Sequence, residues 1–300
     1  MFAVQYDRFG GPEVLHRGRA GAPHPGAGEV RVRVRAAGVA PADAGLRSGR
    51  TPMSARLKLP HIPGVDAAGV VDEIDAGVGG VRAGDEVFGI VDIARLGGAT
   101  AEFAVLQLWA PKPPAMPWVQ AGAAGSGVET ATRALDLLGL QEGMTLLIDG
   151  AAGGVGSLAV QLATARGVRV LGTARAANHD FVSGLGATPL VYEERATAHA
   201  DRALDVAGAG SLPELVKVTG DPAAVVTLAD FTAAGHGVRL TMGRLAGEPD
   251  GGHGLPAAAE LFEQGRFTVP IEAAFPFAEA AAAHRSIEQG SRRGKIALTN

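Results

Sequence analysis

A chain of 300 residues and 30.3 kDa can form one large or two ordinary domains with a sizeable buried core. It is 47% apolar and 19% charged with 44 glycines, which suits a globular fold and excludes collagen-like or highly charged disordered chains. The net charge of −4 leaves no basic excess for nucleic acid or an anionic membrane, and the lack of cysteine excludes disulfides, iron–sulfur clusters, thiol catalysis and cysteine-ligated zinc.

In chain order, residues 1–8 read as a strand rather than a leader. No run of about 18 apolar residues is present to span a bilayer, so the protein is expected free in the cytoplasm, with no membrane partner. Val30-Arg31-Val32-Arg33-Val34-Arg35 alternates strictly, sending valines to one face and arginines to the other, as a half-buried strand requires. Residues 67–71, continued by 72–75, and residues 84–91 add two further strands. Gly10-Gly11-Pro12 and Pro23-His24-Pro25-Gly26 mark turns. Short strands with frequent turns predict a small barrel-like domain.

After Pro111-Lys112-Pro113-Pro114 the rhythm changes. Residues 121–140 have helical composition, 144–149 form a short apolar strand, and 155–166 form a helix with Val155, Leu158, Ala159 and Leu162 on one face. Strand candidates follow at 168–172, 189–192, 202–206, 223–228 and 237–241. Strands alternating with helices predict an α/β fold with a Rossmann-type doubly wound parallel sheet. From Phe267 the tail returns to strand, helix and strand.

The strongest local signal is Ala151-Ala152-Gly153-Gly154-Val155-Gly156, after one strand and opening a helix. A dinucleotide pyrophosphate needs close backbone approach and free amides at a helix N-terminus, where the helix dipole favours negative charge. Gly153 allows that approach and Gly156 lets the helix pack on its strand, while Ala151 stands where the first glycine is usual. The next strand ends Leu171-Gly172-Thr173-Ala174-Arg175, with no carboxylate until Asp180. A carboxylate there would repel a ribose 2′-phosphate, whereas the Arg175 guanidinium would bind it, so NADP(H) is favoured over NAD. Asn178, His179 and Tyr192 are candidates to complete that pocket, and Thr173 is a further cofactor-binding candidate. Glu129 and Arg133 stand four residues apart and read as an ion pair on a helix surface.

With these features the chain resembles the medium-chain dehydrogenase/reductase superfamily, in its zinc-free, zeta-crystallin-like quinone oxidoreductase branch. The resemblance is carried by Phe9-Gly10-Gly11-Pro12-Glu13-Val14-Leu15, by Ala36-Ala37-Gly38-Val39 with Pro41 and Asp43, and by Ile62-Pro63-Gly64-Val65-Asp66-Ala67-Ala68-Gly69. It continues through Gly84-Asp85-Glu86-Val87-Phe88-Gly89, the glycine loop with Gln161, Leu185-Gly186-Ala187, Ala283-His284 and Gly294-Lys295-Ile296. It implies a GroES-like β-rich catalytic domain over residues 1–121, an NADP-binding Rossmann domain over 122–266, and a return of the chain to the catalytic domain over 267–300. It also implies a homodimer joined through edge strands, here residues 238–241.

Zinc-dependent relatives carry Cys at the position of Ala40 and His at that of Val65, so the resemblance implies no metal site. No two of the eight histidines are three or four residues apart, and His61 and His284 read as structural. Many quinone reductases place Asn at the position of Ala40 and Tyr near Gly45, facing the nicotinamide pocket. Ala40, Asp43, Gly45 and Thr130 are therefore the substrate-pocket candidates. Asp43 reads as a local turn-stabilising group, and Thr130 matches a threonine that in the family lies beside the nicotinamide and holds its carboxamide.

The implied activity is NADPH-dependent hydride transfer to a quinone or a conjugated enone or alkenal. Such an acceptor is already electrophilic, and its proton can come from solvent. The alternative is a non-catalytic NADPH-binding redox sensor or structural protein, which the missing polar pair at Ala40 and Gly45 keeps open. An S-adenosylmethionine methyltransferase would want an acidic residue where Thr173 and Arg175 stand.

Overall fold

The structure is a computed structural model that describes residues 1–290 and 293–300. Its described residues fall into two units, one from Met1–Ser126, 271–290 and Lys295–Asn300, the other from Gly127–Pro270 and 293–294.

In the first unit β1 (Phe2–Gln5) pairs antiparallel with β2 (His16–Arg19). β3 (Val30–Val39) begins with the predicted alternation: Val30, Val32 and Val34 are buried among Val71, Val87, Ala104 and Leu106, while Arg33 and Arg35 are exposed. From Ala36 to Val39 every residue is buried. α1 (Pro41–Ser48) follows, with proline at its first turn and Gly49 ending it at φ +75°. β4 (Asp66–Ile74), β5 (Glu86–Val91) and β6 (Phe103–Pro111) run antiparallel in sequence, and β6 returns to pair with β3, closing the sheet into the expected barrel. The long helix α2 (Trp118–Leu137) leaves this unit through a backbone-to-strand contact. A Cβ on Gly122 would lie 2.6 Å from Ala36, so only glycine permits the approach.

The second unit holds β7 (Thr145–Asp149), α3 (Gly156–Ala165), β8 (Arg169–Thr173), α4 (His179–Gly184), β9 (Ala187–Leu190), β10 (Arg202–Asp205), α5 (Leu212–Thr219), β11 (Val225–Thr227), β12 (Arg239–Leu240) and α6 (Gly254–Glu263). All six strands are parallel, in the order β12-β11-β10-β7-β8-β9. The chain therefore winds outward in one direction from β7 and in the other from β10, and the switch point lies at the carboxyl end of β7, where open α/β sheets take their ligands. The single apolar face expected for α3 is a correction: Gly156 to Ala163 are all buried. The Gln161 amide donates to the carbonyls of Ser157 and Thr268 and accepts the Thr268 N–H, so the segment after α6 lies against this helix.

β13 (Ile271–Pro276), α7 (Ala280–Glu288) and β14 (Lys295–Thr299) complete the first unit. β14 pairs antiparallel with β3 and parallel with β13, extending that sheet. No described helix is long and apolar enough to cross a membrane.

Candidate nucleotide-binding site

The glycine loop leaves β7 through Gly150, whose φ of +93° few other residues adopt. Its entry is fixed by β8. The Gly150 N–H donates to the Thr173 hydroxyl at 3.0 Å and the Ala151 N–H to the Thr173 carbonyl at 3.0 Å. The Thr173 hydroxyl in turn donates to the Asp149 carboxylate, which also takes Arg195 at 2.9 and 3.0 Å. Thr173 is thus fully buried, with its hydroxyl engaged by the loop and its strand.

Gly156 starts α3, and a Cβ there would run into the Gly150 carbonyl oxygen, so glycine sets the helix down on its strand. Around Gly153, the nearest atom to an added Cβ is the Gly150 oxygen at 3.4 Å, which leaves its face open to a close-approaching group. The N–H of Gly153 turns back to Gly150 at 3.1 Å. Those of Ala152, Gly154, Val155 and Gly156 donate to no other described residue. Four unpaired amides at a helix start are the donor set that a pyrophosphate needs.

Ala151 is accommodated from the neighbouring strand. A Cβ on Gly172 would lie 2.6 Å from that of Ala151, so the methyl missing from β8 makes room for the one added in the loop.

Beyond β8, Arg175 is exposed and its side chain has no partner among the described residues. Asn178 is buried, and its carbonyl oxygen accepts from Arg293 Nε at 2.8 Å, while Arg293 Nη2 donates to the Ala177 carbonyl at 2.7 Å. A second arginine is thereby fixed on the same turn as Arg175. Arg293 was not foreseen as part of this turn, because it comes from 115 residues further on. His179 caps the turn through the Ala174 carbonyl at 3.3 Å. Tyr192 does not extend β9 as read. It starts a 3-10 turn (Tyr192–Thr197) and is 42% exposed. The loop, Arg175 with Asn178, and Tyr192 follow the carboxyl ends of β7, β8 and β9, three adjacent strands.

Thr130 lies on α2 in the second unit, its hydroxyl donating to Glu129 at 3.0 Å. The Glu129–Arg133 ion pair is present at 2.9 Å, but its expected place on a surface is corrected: Arg133 is 7% and Glu129 12% exposed. The segment after β12 covers it.

Ala40, Asp43 and Gly45 lie together at α1. The Ala40 N–H donates to Asp43 at 2.8 Å, and the other Asp43 oxygen accepts the Gly64 N–H at 3.2 Å. Burial lifts the Asp43 pKa to about 6, against the pull of those N–H groups, with the nearby Asp66 charge raising it further. The carboxylate braces a helix start and a loop, as its turn-stabilising reading expects. A Cβ on Gly45 would lie 2.9 Å from the Thr51 side chain, so a tyrosine there would need Thr51 to move. His61 Nε2 donates to the Leu96 carbonyl, 3.1 Å away, and burial holds its pKa down. Among the described residues no three His, Asp or Glu side chains are grouped to hold a metal ion.

Two family models match the chain: the alcohol dehydrogenase GroES-like domain over residues 26–110 and the zinc-binding dehydrogenase over 177–298. The rat quinone oxidoreductase is 37% identical over 178 residues, 58% of this chain and 53% of that protein. The chain thus spans about half the length of the curated relatives it matches. The quinone oxidoreductase structure from Coxiella burnetii superposes with a TM-score of 0.84 at 27% identity, over 100% of this chain and 99% of that one. A mycobacterial protein solved in complex with NADPH gives 0.78 at 25% identity, over 100% of both chains. With a GroES-like barrel and a doubly wound nucleotide sheet on one chain, and quinone oxidoreductases among the proteins it resembles, the chain has the fold and the domain pair of the medium-chain dehydrogenase/reductase superfamily.

Proposed function

We propose that the protein is an NADPH-dependent, zinc-independent oxidoreductase that reduces a quinone or a conjugated enone or alkenal. The observation that carries the reading is the row of amides at Ala152, Gly154, Val155 and Gly156, beside the exposed Arg175, all without a partner among the described residues. The amides offer four donors to a pyrophosphate, and Gly153 leaves the space to approach them. Arg175, with Arg293 held on the same turn, offers positive charge and forked donors to a ribose 2′-phosphate. No carboxylate of β8 stands there to repel it. NADPH, when bound, supplies a hydride from its nicotinamide ring.

Tyr192, exposed after β9, would cover the same end of the nucleotide. Thr130 holds its hydroxyl hydrogen on Glu129, which leaves oxygen lone pairs for an amide N–H donor. The relatives named as quinone oxidoreductases support the acceptor class, and the mycobacterial NADPH complex supports the cofactor. Ala40 and Val65 offer no metal-binding side chain, which supports independence from zinc. A homodimer, resting on the family resemblance, and a cytoplasmic location, resting on the sequence reading, are part of the same proposal.

The test is steady-state oxidation of NADPH by purified protein against a panel of quinones, enones and alkenals. Turnover with at least one acceptor is the expected result. Tight NADPH binding without turnover on any of them would replace this reading with the non-catalytic one, which the apolar Ala40 and Gly45 positions favour.

A further inference from the structure

The Glu129–Arg133 pair does more than join two turns of α2. Arg133 Nη1 donates to the Thr241 hydroxyl, which donates to Glu248 at 2.6 Å. Glu248 accepts the N–H groups of Met242 at 3.2 Å and Gly243 at 3.1 Å and pairs with Arg239 at 3.0 Å. Glu129 takes the Gly251 N–H at 3.0 Å. Both ends of the segment 241–251 are therefore tied to one ion pair.

The glycines of this segment fit that contact. A Cβ on Gly251 would strike the Glu129 carbonyl and lie 2.6 Å from the Arg133 nitrogen, while Gly243 has φ +58° and lies against the Arg133 guanidinium. A buried ion pair contributes little net stability, because desolvation offsets the attraction, so its value lies in the geometry it fixes. The geometry fixed here is that of a segment leaving the carboxyl end of β12, the ligand-binding edge of a parallel sheet and the same edge as the glycine loop.

We propose that Glu129 and Arg133 are positioning residues that clamp the segment 241–251 as a wall of the nucleotide site. The proposal rests on the NADPH reading above. Glu129 links this wall to Thr130 through the same carboxylate, so one pair sets two nucleotide-side groups at once.

The test combines NADPH affinity, read by nucleotide fluorescence, with hydrogen exchange of the 241–251 amides in the full chain. In the wild type, NADPH should slow exchange across 241–251. Glu129→Gln should speed exchange there without NADPH and raise the NADPH Kd about tenfold or more. Thr241→Val leaves the ion pair whole and cuts its link to Glu248. It should raise Kd by a smaller factor, and it carries the test if Glu129→Gln fails to fold. Arg133→Lys, which keeps the charge and loses the fork, should bind more tightly than Arg133→Met.

A merely structural pair would lower the urea midpoint and leave Kd within about twofold of wild type, and that outcome overturns the proposal. Wild type that binds no NADPH would instead remove the reading of function, and this clamp with it.

Discussion

Ala151 and Gly172 show how a departure from a motif is absorbed one strand away. The fingerprint expects glycine at the loop's first position, and the extra methyl of Ala151 occupies the space that Gly172 leaves on β8. Gly172→Ala would bring two methyl carbons within 2.6 Å and press Val182 at 3.1 Å. Overpacking of this kind costs about 1–3 kcal/mol, and Ala151→Gly in the same chain should recover most of it. Urea denaturation of the two single variants and the double variant checks this, and an additive loss would refute the complementarity. The loop itself was legible in the sequence, because strand, glycines and helix are contiguous. Arg293 was not, since its place on the Asn178 turn depends on chain folding back over 115 residues. Thr173 was read as a cofactor-binding residue, whereas its hydroxyl is engaged by Gly150 and Asp149, contacts that only the parallel register of β7 and β8 creates.

Among the elements, period-two alternation showed the first half of β3, where one side faces the barrel interior. It stops at Ala36, where α2 presses on the strand through Gly122 and β14 pairs along it. Helix α3 was legible as a helix, but not as one buried through Ala163, because the segment that lies against it arrives through Thr268. The Glu129–Arg133 spacing likewise showed a pair and not its burial.

Helix α7 bears a pH prediction. His284 is buried, and burial first, then the charge of Arg47, holds its pKa at about 3. The unfolded chain takes up this proton near pH 6.5, so the contribution of neutral His284 is complete above that pH and is lost as pH falls toward 3. Asp43 acts in the opposite sense. Its raised pKa of about 6 means that acidification from there toward 4 favours the folded state. His284→Leu should therefore lose less stability than wild type between pH 7 and pH 4.5, read as the shift in urea midpoint. Equal shifts would show that His284 titrates normally in the folded state.

At the scale of the whole molecule, two six-stranded sheets with different rules share one chain. A barrel closes with antiparallel neighbours, and a parallel sheet is wound in two directions from β7 and β10. Alternating strands and helices made the second legible, and short strands between turns the first. From the residues alone the tail that forms β13 and β14 read as strand, helix and strand, and only the family resemblance implied its return to the catalytic domain. By the family resemblance Ala40 and Val65 stand where zinc-dependent relatives carry ligands, so under the proposed function dialysis against a chelator is predicted to leave NADPH oxidation unchanged. Loss of activity on dialysis, restored by zinc, would contradict this.

The central claim is that amides opening α3 hold a dinucleotide whose 2′-phosphate is read by Arg175. Titration calorimetry of the wild type and of Arg175→Ala, each with NADPH and with NADH, tests it most directly. Wild type should bind NADPH more tightly than NADH by about tenfold or more, and Arg175→Ala should close most of that gap by weakening NADPH alone. Equal weakening of both nucleotides would remove Arg175 from the role, and no binding heat with either would contradict the claim itself.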